Sequence, residues 1–281
     1  MKELIKKILL KAGASDVGIV KARVFDELLP MISNGSACFS DVDTEKRINP
    51  FLIDRAAKSI IVFVVSYKSG LKGNISSYAF GQDYHTVLKK IASEAETLLN
   101  EKGFSAKTFA DTGDLPDRHL AYLAGLGFLG KNHCLIHPKF GSFVFIGHII
   151  TDCPLPEDSP LNLTCNNCGA CLDACPSHAL VTGDFNTCLS FITQKKGELT
   201  PAEETLIKSS GVIWGCDICQ NVCPHNKNVP NATLPEFSTD LIRTLTLPEE
   251  ITNREFRELY KDRAFCWRGK NVLIRNLKLM D

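Results

Sequence analysis

Cys165–Asn–Asn–Cys168–Gly–Ala–Cys171–Leu–Asp–Ala–Cys175–Pro176 is the stretch that decides how this chain folds. Its spacing is Cys-x2-Cys-x2-Cys-x3-Cys-Pro. Three closely spaced thiolates can embrace one [4Fe–4S] cubane, and a fourth, just before a proline, reaches a second one. A shorter run, Gly215–Cys216–Asp–Ile–Cys219–Gln–Asn–Val–Cys223–Pro224, repeats the pattern with one cysteine fewer. If Cys223 crosses over to join Cys165, Cys168 and Cys171, the first cluster has its four ligands. The second then holds Cys175, Cys216 and Cys219 and needs one more. Cys188, between the two motifs, is the best candidate.

Seven of the twelve cysteines lie in these two runs. Such clustering points to metal, whereas cysteines spread evenly through loops would point to disulfides. The remaining four, Cys38, Cys134, Cys153 and Cys266, read as small buried hydrophobes. Two Cys-x2-Cys pairs could in principle close around one zinc ion. Zinc leaves the third cysteine at x2 spacing and both Cys–Pro endings unexplained. The radical-SAM pattern Cys-x3-Cys-x2-Cys does not occur. The spacing is that of bacterial ferredoxins, so the expectation is electron transfer through two clusters in series.

Upstream of the cysteines, residues 1–150 read as alternating helix and strand, an α/β (α+β) class domain. Residues 59–66 (SIIVFVVS) form a buried-strand pattern rich in β-branched side chains. Residues 86–101 carry Val87, Leu88, Ile91, Ala95, Leu98 and Leu99 on a helical stripe closed by Gly103. A strand is expected over 104–110, a helix over 118–126, and further strands near 134–136 and 142–151. The N-terminal MKELIKKILLKAGASD places Leu4, Ile5, Ile8 and Leu9 at helical spacing and lacks a cleavable apolar core, so it reads as an amphipathic first helix. Composition shifts to proline, asparagine and cysteine after Pro154, which marks a module boundary near 154–164.

The apolar share is 44% and the charged share 23%, enough to build a substantial core. No run of eighteen apolar residues occurs, so no membrane span and a soluble cytoplasmic protein are expected. Net charge is zero, and the chain as a whole carries no nucleic-acid footprint. Residues 254–281 are locally basic, with eight Lys or Arg against four Asp or Glu, which is commonly just a solvated helical surface. No P-loop or strand–GxGxxG–helix fingerprint is present. Gly125–Leu–Gly–Phe–Leu–Gly130 follows a helix, which argues against a nucleotide as electron acceptor.

A longer series of motifs resembles a known family. It runs Tyr78–Ala–Phe–Gly–Gln–Asp–Tyr–His85, Asp111–Thr–Gly, Arg118, Gly125–Leu–Gly–Phe–Leu–Gly–Lys–Asn132, Gly141–Ser142 and then the two cysteine motifs. In this order, over about residues 45–281, it resembles epoxyqueuosine reductase, the cobalamin-dependent enzyme of the last step of queuosine synthesis in tRNA. The resemblance implies three parts: a cobalamin-binding catalytic domain over 1–156, a ferredoxin-like module with two [4Fe–4S] clusters over 157–230, and a helical tail over 231–281 packing on the catalytic domain. It implies Asp111 as proton donor, and a cofactor pocket of Tyr84, His85, Arg118, Lys131, Asn132 and Arg47, the last on a looser match. It also supplies the fourth ligand of the second cluster from the position of Cys188. The implied partners are tRNA as substrate and a reduced flavodoxin or ferredoxin as electron donor, with a monomeric enzyme.

From the residues alone, Asp111 could instead cap the helix beginning near Arg118 or stabilise the Thr–Gly turn. Arg118 could pair with Asp114 or Asp117. The sequence departs from the family's pattern twice. Asp114 stands where a proline usually follows Asp–Thr–Gly, and could raise the pKa of Asp111 or point to water. The chain also stops where full-length members begin a C-terminal helical repeat domain, so that domain is expected to be absent or removed. Two other functions stay open at this level: a cobalamin and iron–sulfur reductase of a small molecule, as in reductive dehalogenases, and a non-catalytic ferredoxin-type carrier.

Overall fold

Residues 59–66 form the strand that the β-branched run predicts, and all eight are buried. A computed structural model describes residues 1–29 and 43–280, and its contacts divide the chain into two compact units. The first comprises residues 1–66, 84–167 and 228–230. Its centre is a four-stranded sheet of β1 (Asp16–Lys21), β2 (Ser59–Ser66), β3 (Ala106–Ala110) and β6 (Val144–Thr151). Strand order is β1-β2-β6-β3, and every pairing is antiparallel. The helix–strand alternation therefore yields an α+β arrangement. A two-stranded ribbon, β4 (Phe128–Leu129) with β5 (Leu135–Ile136), stands beside it.

β2 is buried on both faces because each face is covered. On one side Ile60, Val62 and Val64 share a core with Leu120 and Ala121 of the helix Asp117–Leu123 and with its C-cap, Ala124. Ile61, Phe63 and Val65 point the other way by the two-residue period of a strand. That face belongs to α1 (Lys2–Ala12) and the long helix Tyr84–Glu101, which pack on each other and on the sheet. The short helix Thr44–Ile48 is here α2, Tyr84–Glu101 is α3 and Asp117–Leu123 is α4. In α1 Ile5 and Leu9 are buried while Leu4 is exposed, so the apolar stripe is narrower than the sequence pattern suggests.

The second unit comprises residues 67–83, 168–227 and 231–281. It contains α5 (Ala170–Asp173), α6 (Ala179–Thr182), α7 (Leu189–Gln194), α8 (Pro201–Ser210), α9 (Ile218–Asn221), α10 (Pro235–Ser238), α11 (Asn253–Tyr260) and α12 (Lys270–Lys278). The division differs from three consecutive segments with the tail on the first. Residues 67–83 have no periodicity to betray where they belong, and their backbone groups find partners in the tail and the cysteine region. Asn74 N–H donates to Arg243 O at 3.1 Å, Gln82 N–H to Glu236 O at 3.0 Å, and Ser76 N–H to Trp214 O at 2.7 Å. Irregular backbone must satisfy its hydrogen bonds somewhere, and this is where it does so.

Candidate active site

Asp111 is the first residue after β3 and has φ 57°, the left-handed region that non-glycine residues seldom occupy. Asp tolerates it better than most. Such a backbone persists only where its surroundings hold it. Two elements do so. Tyr84, at the start of α3, donates its hydroxyl proton to Asp111 Oδ2. His85 places Nε2 3.9 Å from the same oxygen. The Tyr84 ring is itself fixed between His85, at a centroid distance of 4.1 Å, and Phe145 of β6, at 4.4 Å and 5° from parallel.

The Asp111 side chain is 62% exposed, yet its carboxyl is pushed above the ordinary range. These two facts pull in opposite directions. The group opens to solvent on one side and is walled by protein on the others, and that loss of surrounding water is the largest cause of the upward shift. The like charge of Asp117 adds to it, whereas the Tyr84 hydrogen bond, His85 and Arg118 act against it. The acting carboxylate is Asp117, where the sequence pointed to Asp114.

Two of the plainer roles suggested for this region do not match the geometry. The N-cap of α4 is Pro116, with no side-chain cap, so Asp111 does not cap that helix. Arg118 is not paired with Asp114 or Asp117; its Nη1 donates to the carbonyl of His133 at 2.9 Å. His133 belongs to the β4–β5 turn that also carries Lys131 and Asn132. Lys131 is exposed. Asn132 is 6% exposed, its Oδ1 accepts from Cys134 N–H at 3.3 Å, and its Nδ2 is buried without a protein partner. Arg47 is held half-buried on α2 with its Nε unpartnered, on a different element from the residues around Asp111.

Two residues near Asp111 escaped the sequence reading. His148 of β6 is fully buried, and its Nδ1 lies 2.6 Å from Asp117 Oδ1. A histidine inside the otherwise apolar run 144–150 was a legible signal, since a buried imidazole needs a partner. Asp117 looks in sequence like any acid in the first turn of a helix.

In the second unit, Cys171 lies on α5 and Cys219 on α9, two four-residue helices that pack together. Cys188 occupies the N-cap of α7. Gly215, just before Cys216, has φ 68°, and a Cβ there would lie 2.5 Å from Ser76 Cβ, so only glycine admits this approach. Burial pushes the Cys216 thiol up to about 12, with the charges of Cys188 and Cys175 adding to the effect. Among the described residues, no three Cys, His, Asp or Glu close around a point at single-ion spacing. Of the other cysteines, Cys153 is buried, Cys134 and Cys266 are half-buried, and Cys38 lies outside the described residues.

Comparison with known proteins agrees with this layout. Residues 164–226 match the model of a 4Fe–4S double cluster binding domain, and residues 47–112 match that of epoxyqueuosine reductase QueG, DUF1730. An epoxyqueuosine reductase of Bacillus anthracis is 39% identical over 94% of this chain and 75% of its own length. One from Bacillus subtilis strain 168 is 35% identical over 98% and 77%. The structure of epoxyqueuosine reductase from Streptococcus thermophilus superimposes with a TM-score of 0.89 at 35% identity, covering 100% of this chain and 80% of that one. A crystal structure of epoxyqueuosine reductase with an epoxyqueuosine-modified tRNA-Tyr stem loop gives 0.88 at 34% identity, over 99% and 80%. With curated relatives of this identity and coverage, the chain belongs to the epoxyqueuosine reductase family.

Proposed function

We propose that this protein reduces epoxyqueuosine to queuosine in tRNA, with Asp111 as the acid. Opening the epoxide and expelling its oxygen as water consumes two electrons and two protons. The double-cluster domain is the source of the electrons within the chain. The single observation that carries the proton half is Asp111, held in a left-handed turn by Tyr84 with its carboxyl raised. A carboxyl of ordinary pKa is almost wholly ionised near neutral pH and has no proton to give. A raised one holds it to higher pH.

Cobalamin, held here, would supply the low-potential reducing centre of the reaction. The residues around Asp111 suit such a group. Asn132 Nδ2 is a buried donor in want of an acceptor, and a corrin rim carries amide carbonyls. Arg118 and Lys131 offer exposed cations. We assign Cys165, Cys168, Cys171 and Cys223 to one cluster and Cys175, Cys188, Cys216 and Cys219 to the other. The first unit is read as the catalytic one and the second as the electron-transfer module, fed by a reduced flavodoxin or ferredoxin. No helix among the described residues is long and apolar enough to cross a membrane; we read the protein as a cytoplasmic monomer that meets tRNA there.

The test is conversion of an epoxyqueuosine-bearing tRNA stem loop by protein loaded anaerobically with iron, sulfide and cobalamin. Queuosine should appear in the wild type. Its rate should fall by about 10²- to 10⁴-fold in Asp111→Asn, the usual range for a lost general acid. Absence of queuosine with the loaded wild type would overturn the assignment.

A further inference from the structure

Beneath the Asp111 turn lies a buried histidine–aspartate hydrogen bond that the reaction as described does not use. His148 sits in the middle of the sheet, opposite Val62 on one side and Phe109 on the other. Its ring is fully buried and stacks on Phe109 at 5.1 Å and 18° from parallel. Nδ1 faces Asp117 Oδ1 at 2.6 Å. A carboxylate can only accept, so Nδ1 carries the proton of that bond. Nε2 is buried with no protein partner. An apolar side chain would fill this strand position at lower cost, unless the imidazole has work to do.

The turn that carries Asp111 rests on the same two rings. A Cβ added at Gly113 would lie 3.1 Å from Phe109 Cδ1 and 3.2 Å from His148 Cε1. Asp117, at the first turn of α4, is 16% exposed at the side chain and has little freedom to swing away. Four titratable or charged groups act on Asp111: Tyr84 and His85 from α3, and Asp117 and Arg118 from α4. Three of them favour the ionised acid, and Asp117 alone opposes them.

We propose that Asp117, pinned by His148 under the Asp111–Thr112–Gly113 turn, is the positioning residue that keeps the acid charged with its proton between turnovers. It acts by a fixed negative charge and touches neither substrate nor cofactor. The inference rests on Asp111 as proton donor, and it adds a reason for the site's buried histidine.

The experiment reads the Asp111 carboxyl directly, in resting protein without substrate, by a pH titration of 13C-labelled aspartate assigned with Asp111→Asn. Asp117→Asn should move the Asp111 titration to lower pH, because the one like charge is gone while Tyr84, His85 and Arg118 remain. Asp117→Glu, which restores the charge, should return it toward wild type. Asp117→Ser provides a second neutral variant should the first fold poorly. In single turnovers the rate falls as pH rises through the titration of Asp111. In Asp117→Asn that fall should come earlier, leaving about tenfold less rate above it and nearly equal rates below it. A carboxyl titration unmoved in both neutral variants overturns the proposal. So does a rate lowered by one factor at every pH. Either result leaves the functional assignment standing, because that assignment fails only if the loaded wild type makes no queuosine.

Discussion

Replacing Cys188 by alanine tests the cluster assignment at the position the spacing rules identify least directly. Two [4Fe–4S] clusters bring about eight irons per chain. The substitution should leave the fold intact. Cys188 is the N-cap of α7, but its thiol makes no capping hydrogen bond, so the helix loses no cap worth about 1 kcal/mol. Its side chain is only half-buried, which keeps the cavity cost small. The second cluster, in contrast, would keep three thiolates. It should then fall to a three-iron form or be lost, giving about seven or about four irons per chain. Iron and sulfide analysis after anaerobic reconstitution would read the number, and electron paramagnetic resonance would separate the two forms. Cys153→Ala is the control. That side chain is 2% exposed, so its loss should cost stability and no iron. Eight irons in Cys188→Ala, with circular dichroism unchanged, would refute the ligand set. Loss of iron in Cys153→Ala would refute it equally.

Gly113→Ala should lower turnover by about tenfold with tRNA affinity little changed, because the added methyl meets two packed rings at 3.1 and 3.2 Å and lifts the Asp111 turn by a few tenths of an ångström; a fully active variant would show that the turn's height is immaterial. Asp158→Asn should destabilise the first unit by about 1–2 kcal/mol in urea melts at pH 7, since Asp158 accepts from Lys2 at 2.6 Å and from Ile19 N–H at 2.9 Å and also pairs with Lys6 at 2.9 Å. Burial opposes that carboxylate's charge, yet these partners hold its pKa below the usual value, so the gap between variant and wild type should be full above the unfolded carboxylate range and close as pH falls through the folded value; a gap independent of pH would contradict this. Cluster reconstitution should speed up with rising pH, because burial holds the Cys216 thiol at about 12 and the proton must leave before iron binds; iron uptake flat from pH 6 to 9 would count against a buried ligand there.

Strand β2 was legible to the residue because eight consecutive apolar or small side chains, five of them Val or Ile, leave no other use for the segment. Helix α3 was legible too, although it starts two residues earlier than the apolar stripe, at Tyr84. Those two residues matter, since the extra turn sets Tyr84 and His85 beside Asp111. That approach depends on the strand order β1-β2-β6-β3, which sets β3 beside β6 and so gathers Asp111, Phe145 and His148 from distant parts of the chain. Strand order is a property of the packed sheet and leaves no trace in local pattern. Asp114 was the natural suspect for a like charge because it is three residues from Asp111; Asp117 acts because α4 turns it back. The grouping of 67–83 with the tail was hidden for the same reason, as it is written in backbone hydrogen bonds that any side chains could accompany.

Burial raises both Asp111 and Cys216, and the two sites need opposite things from it. At Asp111, on the assignment proposed above, the held proton is the reagent. Partial loss of surrounding water and the charge of Asp117, tempered by Tyr84, act together to hold that proton to higher pH than an ordinary carboxyl would. At Cys216 the proton is an obstacle, and like charges at Cys188 and Cys175 make an uncompensated thiolate trio worse still. A cation can reverse that balance, and a cubane brings four iron ions to it at once. On the assignments proposed above, the same physical pressure serves the acid at one site and makes the thiols at the other depend on a cation. It follows that chelating the iron should leave the Asp111 titration where it was while abolishing turnover. An Asp111 carboxyl that shifted when the clusters were stripped would show that the two sites are not tuned separately, and that the acid's environment is set by more than Tyr84, His85, Asp117 and Arg118.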